Sequence, residues 1–425
     1  MYTIKTHENN NCTNQWNTSD DIEEIRCHFP LLTKNDCTQA LVYLDNAATT
    51  QLPTEVLDTL TTHYSLYNAN VHRGNHTLSR ISTQHYEKAR KSIACYINAP
   101  DSNNIIFTSG TTQSINIAAQ ALEPLANGYD SVIVSAFEHH SNLLPWQQLC
   151  ARTGMQLHII PLTEQCDIDL SEYAALLSHN KPLVVAVAHV SNVTGTVNPV
   201  AQMAQLAHNN GALFLVDAAQ SIRHEVVDVQ DLDCDFLCFS GHKTCAPTGI
   251  GVLYGKGSLL ERLAPIAFGG EMVNTASYTD FVSEEPPLRF EPGTPNYVGA
   301  IALGAAIEYL NGIGRHSIHF YEQSLITYAE EKLRKLSGVR ILGNPTHRAG
   351  CISFVVDDLN SFDVAMFMDA QGVAVRSGSL CAQPLLNSYF QVSSVIRISP
   401  AFYNTFQEID ICIEALQRAI RILGS

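Results

Sequence analysis

The sequence predicts an α/β protein: a large domain on a mostly parallel, seven-stranded sheet, then a smaller α+β domain. Three observations predict it. Seven short apolar runs lie between residues 104 and 254, with helical stretches separating most of them. The runs are continuously apolar and do not alternate with polar residues, which is the pattern of strands covered on both faces. A Pro-rich segment, 281–295, then breaks the pattern and is followed by two long helical stretches and three more apolar strands.

Taken in order, the strands are expected at 104–108 (NIIFT), 131–135 (SVIVS), 156–160 (QLHII), 183–188 (LVVAVA), 212–216 (ALFLV), 235–239 (DFLCF) and 250–254 (IGVLY). Helical stretches are expected near 54–66, 77–97, 112–122, 142–152 and 200–209. Beyond the Pro-rich boundary or hairpin come helices near 297–312 and 316–337, strands near 351–356, 373–376 and 394–398, and a closing helix near 406–422. Upstream, residues 1–20 read as a mobile arm, with a short helix capped near Ser19 or Asp20.

Composition narrows the function. The chain has 425 residues, 45% hydrophobic and 16% charged, a globular balance with ample length for a large core. Lys+Arg number 25 and Asp+Glu 41, a net charge of −16. That field repels nucleic acid and anionic membrane but leaves room for a local basic pocket. No run approaches the ~18 apolar residues of a membrane span. The polar, Asn-rich start has no apolar stretch of signal-peptide type, so a cytoplasmic location is expected. The 12 cysteines show no CxxC and no paired ligand spacing, so no metal site is expected and most read as small buried hydrophobes.

The chemistry gathers at strand ends. Asp217 follows the run FLV in FLVDAAQS (214–221). It reads either as a turn cap or as a carboxylate presented where open α/β sheets bind ligands. Lys243 follows another strand in CFSGHKTCAPTGIG (238–251). A partly buried Lys can lose its proton and form a Schiff base. Asp and Lys together are the pair that pyridoxal phosphate needs, one for the ring nitrogen and one for the aldehyde. TSGTTQSIN (108–116) adds a strand, a Gly-Thr-Thr turn and a helix start suited to a phosphate, with Ser240 and His242 as further donors. FEHHSNLLPWQ (137–147) brings two adjacent histidines, either solvated or placed to stack on a ring and move protons.

These motifs resemble the cysteine desulfurases of the Suf and Csd type, in the class V aminotransferase group of fold-type I pyridoxal-phosphate enzymes. The resemblance runs from about Tyr43 to the C-terminus. It is carried by YLDNAATT (43–50), NVHRGNHTLS (70–79), GTTQSIN (110–116), EHHSNLLPWQ (138–147), HVSNVTGTVNP (189–199) and VDAAQS (216–221). FSGHKTCAPTGIGVLYGK (239–256), GGEM (269–272), RFEPGTPN (289–296), VRSGSLCAQPLL (375–386) and RISPAFYNT (397–405) complete it.

The resemblance implies a role for each matching residue. Lys243 would be the Schiff-base lysine, Asp217 the partner of the pyridine nitrogen, Gln220 would face the ring hydroxyl and His139 would stack on the ring. Thr112, Ser240 and His242 would hold the phosphate with Thr111 alongside, and Thr294 would reach it across the interface of a homodimer. Asn192 and Arg397 would take the substrate carboxylate. Cys381 would be the nucleophile that attacks the sulfur of L-cysteine and becomes a persulfide, leaving L-alanine. The sulfur would pass to an acceptor protein, for iron–sulfur cluster or related assembly. Where Suf-type members carry histidines before that cysteine, this chain has Ser379 and Leu380, which leaves the subtype, the local proton relay and the acceptor open.

The division expected is an arm (1–20), a segment packing with the small domain (21–37), a cofactor-binding domain (38–295) and a small domain carrying the cysteine loop (296–425). A selenocysteine lyase, a class V aminotransferase of other specificity and a non-catalytic sulfur-carrier scaffold are the rival readings. Lys243 and Asp217 argue against the last.

Overall fold

A computed structural model describes residues 19–33 and 41–424. The expected arm therefore lies outside the described residues, except that Ser19 already opens a helix to Cys27. Of the segment expected at 21–37, residues 34–37 also lie outside them.

The seven apolar runs form one sheet: β1 (Ile105–Thr108), β2 (Ser131–Ser135), β3 (Gln156–Ile160), β4 (Pro182–Ala188), β5 (Leu213–Asp217), β6 (Phe236–Ser240) and β7 (Gly251–Gly255). The order across it is β1-β7-β6-β5-β4-β2-β3. Strands β2 to β6 pair in parallel. The last connection is a turn too short for a parallel crossover, so β7 runs back antiparallel between β6 and β1. Strand β4, inside the sheet, is buried along its whole length, whereas β3, at the edge, is fully buried only at Ile160.

Helices Thr77–Tyr96, Thr111–Leu122, Leu144–Thr153 and Val200–Asn209 match the expected stretches. The stretch near 54–66 is a helix, Thr54–Thr62, that widens into a π turn at His63–Tyr67. Besides short single-turn helices, two longer helices appear where none was expected. Leu170–His179 is capped by Asp169, which accepts from the amides of Ser171 and Glu172. Ser361–Asp369 leaves Phe362 and Met366 exposed, which blurs its apolar period.

The smaller sheet is wholly antiparallel: β8 (Val339–Ile341), β9 (Ile352–Val356), β10 (Arg376–Gly378) and β11 (Val395–Ile398), in the order β8-β9-β11-β10. The strand expected at 373–376 divides. Val373–Ala374 pairs in parallel with Val42–Tyr43, and Arg376 begins β10. The Pro-rich segment contributes Phe281–Ser283 to a hairpin with Val273–Ala276.

Helix Tyr297–Ile313, which begins the segment expected as the small domain, lies on Thr77–Tyr96 and Thr54–Thr62 of the large-sheet unit and packs into the same core. Gly304 permits the approach: a Cβ there would stand 2.7 Å from that of Ala89. The N-terminal segment docks on helices Tyr297–Ile313 and Phe406–Leu423. Arg26 pairs with Glu408 at 3.0 Å, and Phe29 packs edge-on against Tyr309 and Phe402.

A buried charge cluster joins the two units. Glu322, on helix Arg315–Arg334, receives Arg223 and His224 from the turn after β5, and the Phe402 amide at 2.8 Å. All three ionisable groups are buried. Glu322→Ala leaves Arg223 uncompensated, and removal of one partner of a buried pair costs about 3–5 kcal/mol. The expected readout is a lower urea midpoint with an unchanged slope.

Candidate active site

The carboxyl ends of β4, β5 and β6 open onto a cavity of about 260 Å³. Its lining includes Thr111, Thr112, His139, Asn192, Asp217 and Gln220. Ser240, His242, Lys243, Cys381 and Arg397 complete the expected set there. Eleven of the twelve expected side chains thus converge from segments up to 286 residues apart (397 − 111). Thr294 is exposed in the Pro-bounded turn and does not line this cavity.

Asp217 ends β5, 5% exposed. Its Oδ1 accepts the Ala219 amide at 2.9 Å, and no side chain among the described residues bonds the other oxygen. Burial raises its pKa, opposed by the Ala219 amide and by Lys243. Lys243 sits in the turn after β6, opening to the cavity and otherwise enclosed. Burial pushes its ammonium down, opposed by Asp217. The two groups form no ion pair.

The turn is pinned from outside. The His242 carbonyl accepts the Thr50 amide at 2.8 Å and the hydroxyls of Thr49 and Thr50. Thr50 Oγ1 in turn accepts the Cys245 amide at 2.8 Å. The motif YLDNAATT therefore holds the lysine turn. Its Ala47 carbonyl also takes the Gln220 amide at 2.9 Å.

Opposite lies the start of helix Thr111–Leu122. Gly110, at φ +147°, turns the chain into it, and a Cβ there would meet Ser240 Oγ at 3.1 Å. The Thr111 amide and hydroxyl both reach Ser240 Oγ at 2.8 Å, and Thr112 Oγ1 meets Ser141 Oγ at 2.7 Å. First-turn amides have no acceptor within a helix, so this end presents hydroxyls and N–H groups to an anion.

His139 Nδ1 accepts the Ser141 amide at 3.0 Å, which places the ring proton on Nε2. Burial, with Lys243 and His140 nearby, lowers its pKa to about 4. His242 falls to about 4 by burial and the same lysine.

The proposed carboxylate binders are engaged within the protein. Asn192 Nδ2 donates to the Leu380 carbonyl at 2.8 Å. Arg397 donates to the Asn192 carbonyl at 2.9 Å and to Asp45 at 3.2 Å, and its buried Nε has no partner. Asp45 and Arg376, which lie 3.7 Å apart, were not singled out from the sequence. Both fall inside quoted motifs, YLDNAATT and VRSGSLCAQPLL, and a charge directly after a short apolar run was the available signal.

Cys381 is exposed at the cavity rim. Leu380 and Cys381 both adopt left-handed backbone, φ +53° and +54°. Non-Gly residues there carry strain, and two hydrogen bonds retain it: His140 N–H to the Cys381 carbonyl at 2.8 Å, and the Asn192 bond to Leu380. Among the described residues no cluster of His, Cys, Asp and Glu could hold a metal, and no helix is long and apolar enough to cross a membrane.

Two histidines carry opposite pH signatures. The depressed His139 contributes stability above its free value of 6.5 that is lost as pH falls towards 4. His319 is raised to about 9, first by its bond to Glu225, so its contribution is present below 6.5 and lost as pH rises through 9. In carbon-13 histidine NMR, assigned with His→Gln variants, the His139 ring is expected to stay neutral from pH 8 to 5 while His319 stays charged at pH 8.

A family model described as aminotransferase class-V matches residues 42–412. A probable cysteine desulfurase of Halalkalibacterium halodurans is 44% identical over 403 residues, 94% of this chain and 98% of that protein. One from Synechocystis sp. is 46% identical over 405 residues, 94% of this chain and 96% of that protein. The crystal structure of the cysteine desulfurase CsdA from Escherichia coli superposes with a TM-score of 0.87 at 38% identity, covering 94% of this chain and 98% of that one. With the strand-end lysine and aspartate in one cavity and near-complete coverage of these relatives, the chain belongs to the class-V aminotransferase family, among the cysteine desulfurases.

Proposed function

We propose that this protein is a pyridoxal-phosphate-dependent cysteine desulfurase that converts L-cysteine to L-alanine and leaves the sulfur as a persulfide on Cys381. The observation that carries the reading is one cavity holding a half-buried lysine, a buried aspartate and an exposed cysteine at its rim. The site fits the cofactor: an Asp217 oxygen lacks a side-chain partner, Lys243 has no ion pair, and the helix start offers hydroxyls and amides for a phosphate.

When bound, the cofactor supplies an aldehyde for the substrate amine and a ring that accepts the electrons of the Cα–H bond. Asp217 would hold a proton at the ring nitrogen. Thr111, Thr112, Ser240 and His242 would hold the phosphate, joined by Thr294 of a second copy in a homodimer, and Gln220 would meet the ring hydroxyl. His139, neutral and fixed by Ser141, would stack on the ring. Lys243, its ammonium lowered by burial, takes the Cα proton at Nζ. Arg397 and Asn192 orient the substrate carboxylate, which competes with Asp45 and the Leu380 carbonyl for their donors.

Cys381 thiolate attacks the substrate sulfur. The new S–S bond forms as the substrate Cβ–S bond breaks, and Cβ gains a proton and leaves in L-alanine, with His139 as proton donor. The persulfide passes to an acceptor thiol, for iron–sulfur cluster assembly in the cytoplasm.

Cys381→Ala is expected to retain cofactor absorbance and its spectral response to L-cysteine. Alanine formation should fall at least about 100-fold, because positioned covalent catalysis is lost. Near wild-type alanine in that variant would remove Cys381 from the role. Borohydride reduction and peptide mapping are expected to put the pyridoxyl label on Lys243. Thr294→Val should weaken cofactor retention during dialysis while the dimer persists in sedimentation.

A further inference from the structure

Arg376 and Arg397 stand opposite each other on neighbouring strands, paired in register between β10 and β11. Side chains at paired positions project from the same face, and like charges there repel. Arg397 is buried, Arg376 is more than half exposed, and both line the cavity. The carboxylate between them is Asp45: its Oδ1 accepts Arg397 Nη2 at 3.2 Å, and its Oδ2 lies 3.7 Å from Arg376 Nη1. Burial raises the Asp45 pKa, and both arginines oppose that. The trio carries one positive charge in excess, although the chain as a whole has a net charge of −16.

The segment leading into β10 and the end of β11 also hold the Asp45 backbone. The Leu44 amide bonds the Ala374 carbonyl at 2.9 Å, just before Arg376. The Asn46 amide bonds the Ser399 carbonyl at 3.2 Å, and the Ser399 amide bonds the Leu44 carbonyl at 2.7 Å, just after Arg397. The main chain of Asp45 is thus fixed, and its carboxylate moves by side-chain rotation.

Arg397 is already engaged. Nη1 donates to the Asn192 carbonyl at 2.9 Å, Nη2 donates to Asp45, and Nε is buried without a partner. Both edges of a guanidinium that offer two donors include Nη2. A two-bond grip on an incoming carboxylate therefore draws on the nitrogen that Asp45 holds. Asp45 is largely buried, so its displaced charge is costly unless another cation takes it. At 3.7 Å, Arg376 stands about 1 Å beyond the length of a charge-assisted bond. More than half of its side chain is in solvent, so it can close that gap.

We propose that Asp45 is a resident stand-in for the substrate carboxylate on Arg397, and that Arg376 is the positioning residue that takes Asp45 over when the substrate arrives. This deepens the substrate reading above and rests on it. The exchange conserves ion pairs: the substrate replaces Asp45 on Arg397, and Asp45 closes on Arg376. It fits a ligand with a free α-carboxylate, because an ester or a decarboxylated amine brings no anion to replace Asp45.

The test measures the affinity of holoenzyme for L-alanine from the shift in cofactor absorbance. L-Alanine carries the amine and carboxylate of the substrate and no sulfur. Arg376→Gln, Asp45→Asn and the double variant form a cycle. Arg376→Gln leaves Asp45 with Arg397 as its partner and is expected to raise Kd about 3–5-fold, the scale of a partly exposed ion pair. Asp45→Asn removes the competitor and should lower Kd. In the Asp45→Asn background, Arg376→Gln should change Kd by less than about 2-fold. An equal rise in both backgrounds means that Arg376 meets the ligand itself and overturns the proposal, as does an unchanged Kd in Arg376→Gln or a raised one in Asp45→Asn. Crystal structures of wild-type holoenzyme with and without L-alanine give a readout that needs no variant. The Asp45–Arg376 separation is expected to close to about 2.8 Å as Asp45 leaves Arg397. Bound alanine with the Asp45–Arg397 pair intact overturns the proposal. Failure of the reading beneath it would show separately, as wild-type protein without cofactor absorbance or with an absorbance that L-alanine does not move.

Discussion

Asp217, buried, and Lys243, half-buried and opening to the cavity, stand at adjacent strand ends without forming an ion pair. Each is driven by its surroundings towards the neutral form, and each lacks the partner that would hold its charge. A fold carries such a conflict only if something else supports the backbone beneath it. Here the interior strand β4, which pairs with the strand of Asp217, is buried throughout, and the YLDNAATT segment grips the lysine turn by four hydrogen bonds: three to the His242 carbonyl and one from Cys245 to Thr50. The remaining architecture closes the cavity around this pair.

The closure comes from both units. Arg397 reaches from the small sheet to Asp45 and to the Asn192 carbonyl in the large unit. The cysteine loop rests on the large unit through His140 and Asn192, and Ala382, Leu385 and Leu386 join its core. On the proposed roles, substrate recognition and sulfur chemistry would share one contact region, and a carboxylate arriving at Arg397 and Asn192 would enter a set of bonds that already restrains the Cys381 loop. Glu322 with Arg223 and His224 fixes the other side of the same junction.

Much of this was legible in the sequence because the signals were local. Continuous apolar runs located all seven large-sheet strands, and an Asp or Lys directly after such a run marked the ligand edge. Strand direction was not legible: hydropathy does not distinguish β7, which returns antiparallel, from its parallel neighbours. The helix at Ser361–Asp369 was hidden by exposed Phe362 and Met366, and the Pro-rich turn near 295 masked the packing of helix Tyr297–Ile313 on Thr77–Tyr96. In the site, Asp45 and Arg376 were inside quoted motifs but acquire meaning only once Arg397 is seen between Asp45 and Asn192.

The distribution of thiols has a consequence for sulfur traffic. Among the described residues Cys27, Cys95 and Cys381 are exposed, and seven other cysteines are buried. Burial raises Cys166, Cys234, Cys245 and Cys412 to about 12, so they remain protonated and inert. Cys351 is the telling case. It lies close enough to Lys243 to affect its charge, as Cys381 does, yet it is buried and its thiol faces the carbonyls of Ser191 and Val193. A persulfide migrates only to a thiolate that can reach it. On the role proposed for Cys381, low permittivity acts as insulation: the buried thiols stay protonated, and a sulfane atom on the exposed Cys381 has its exit towards solvent.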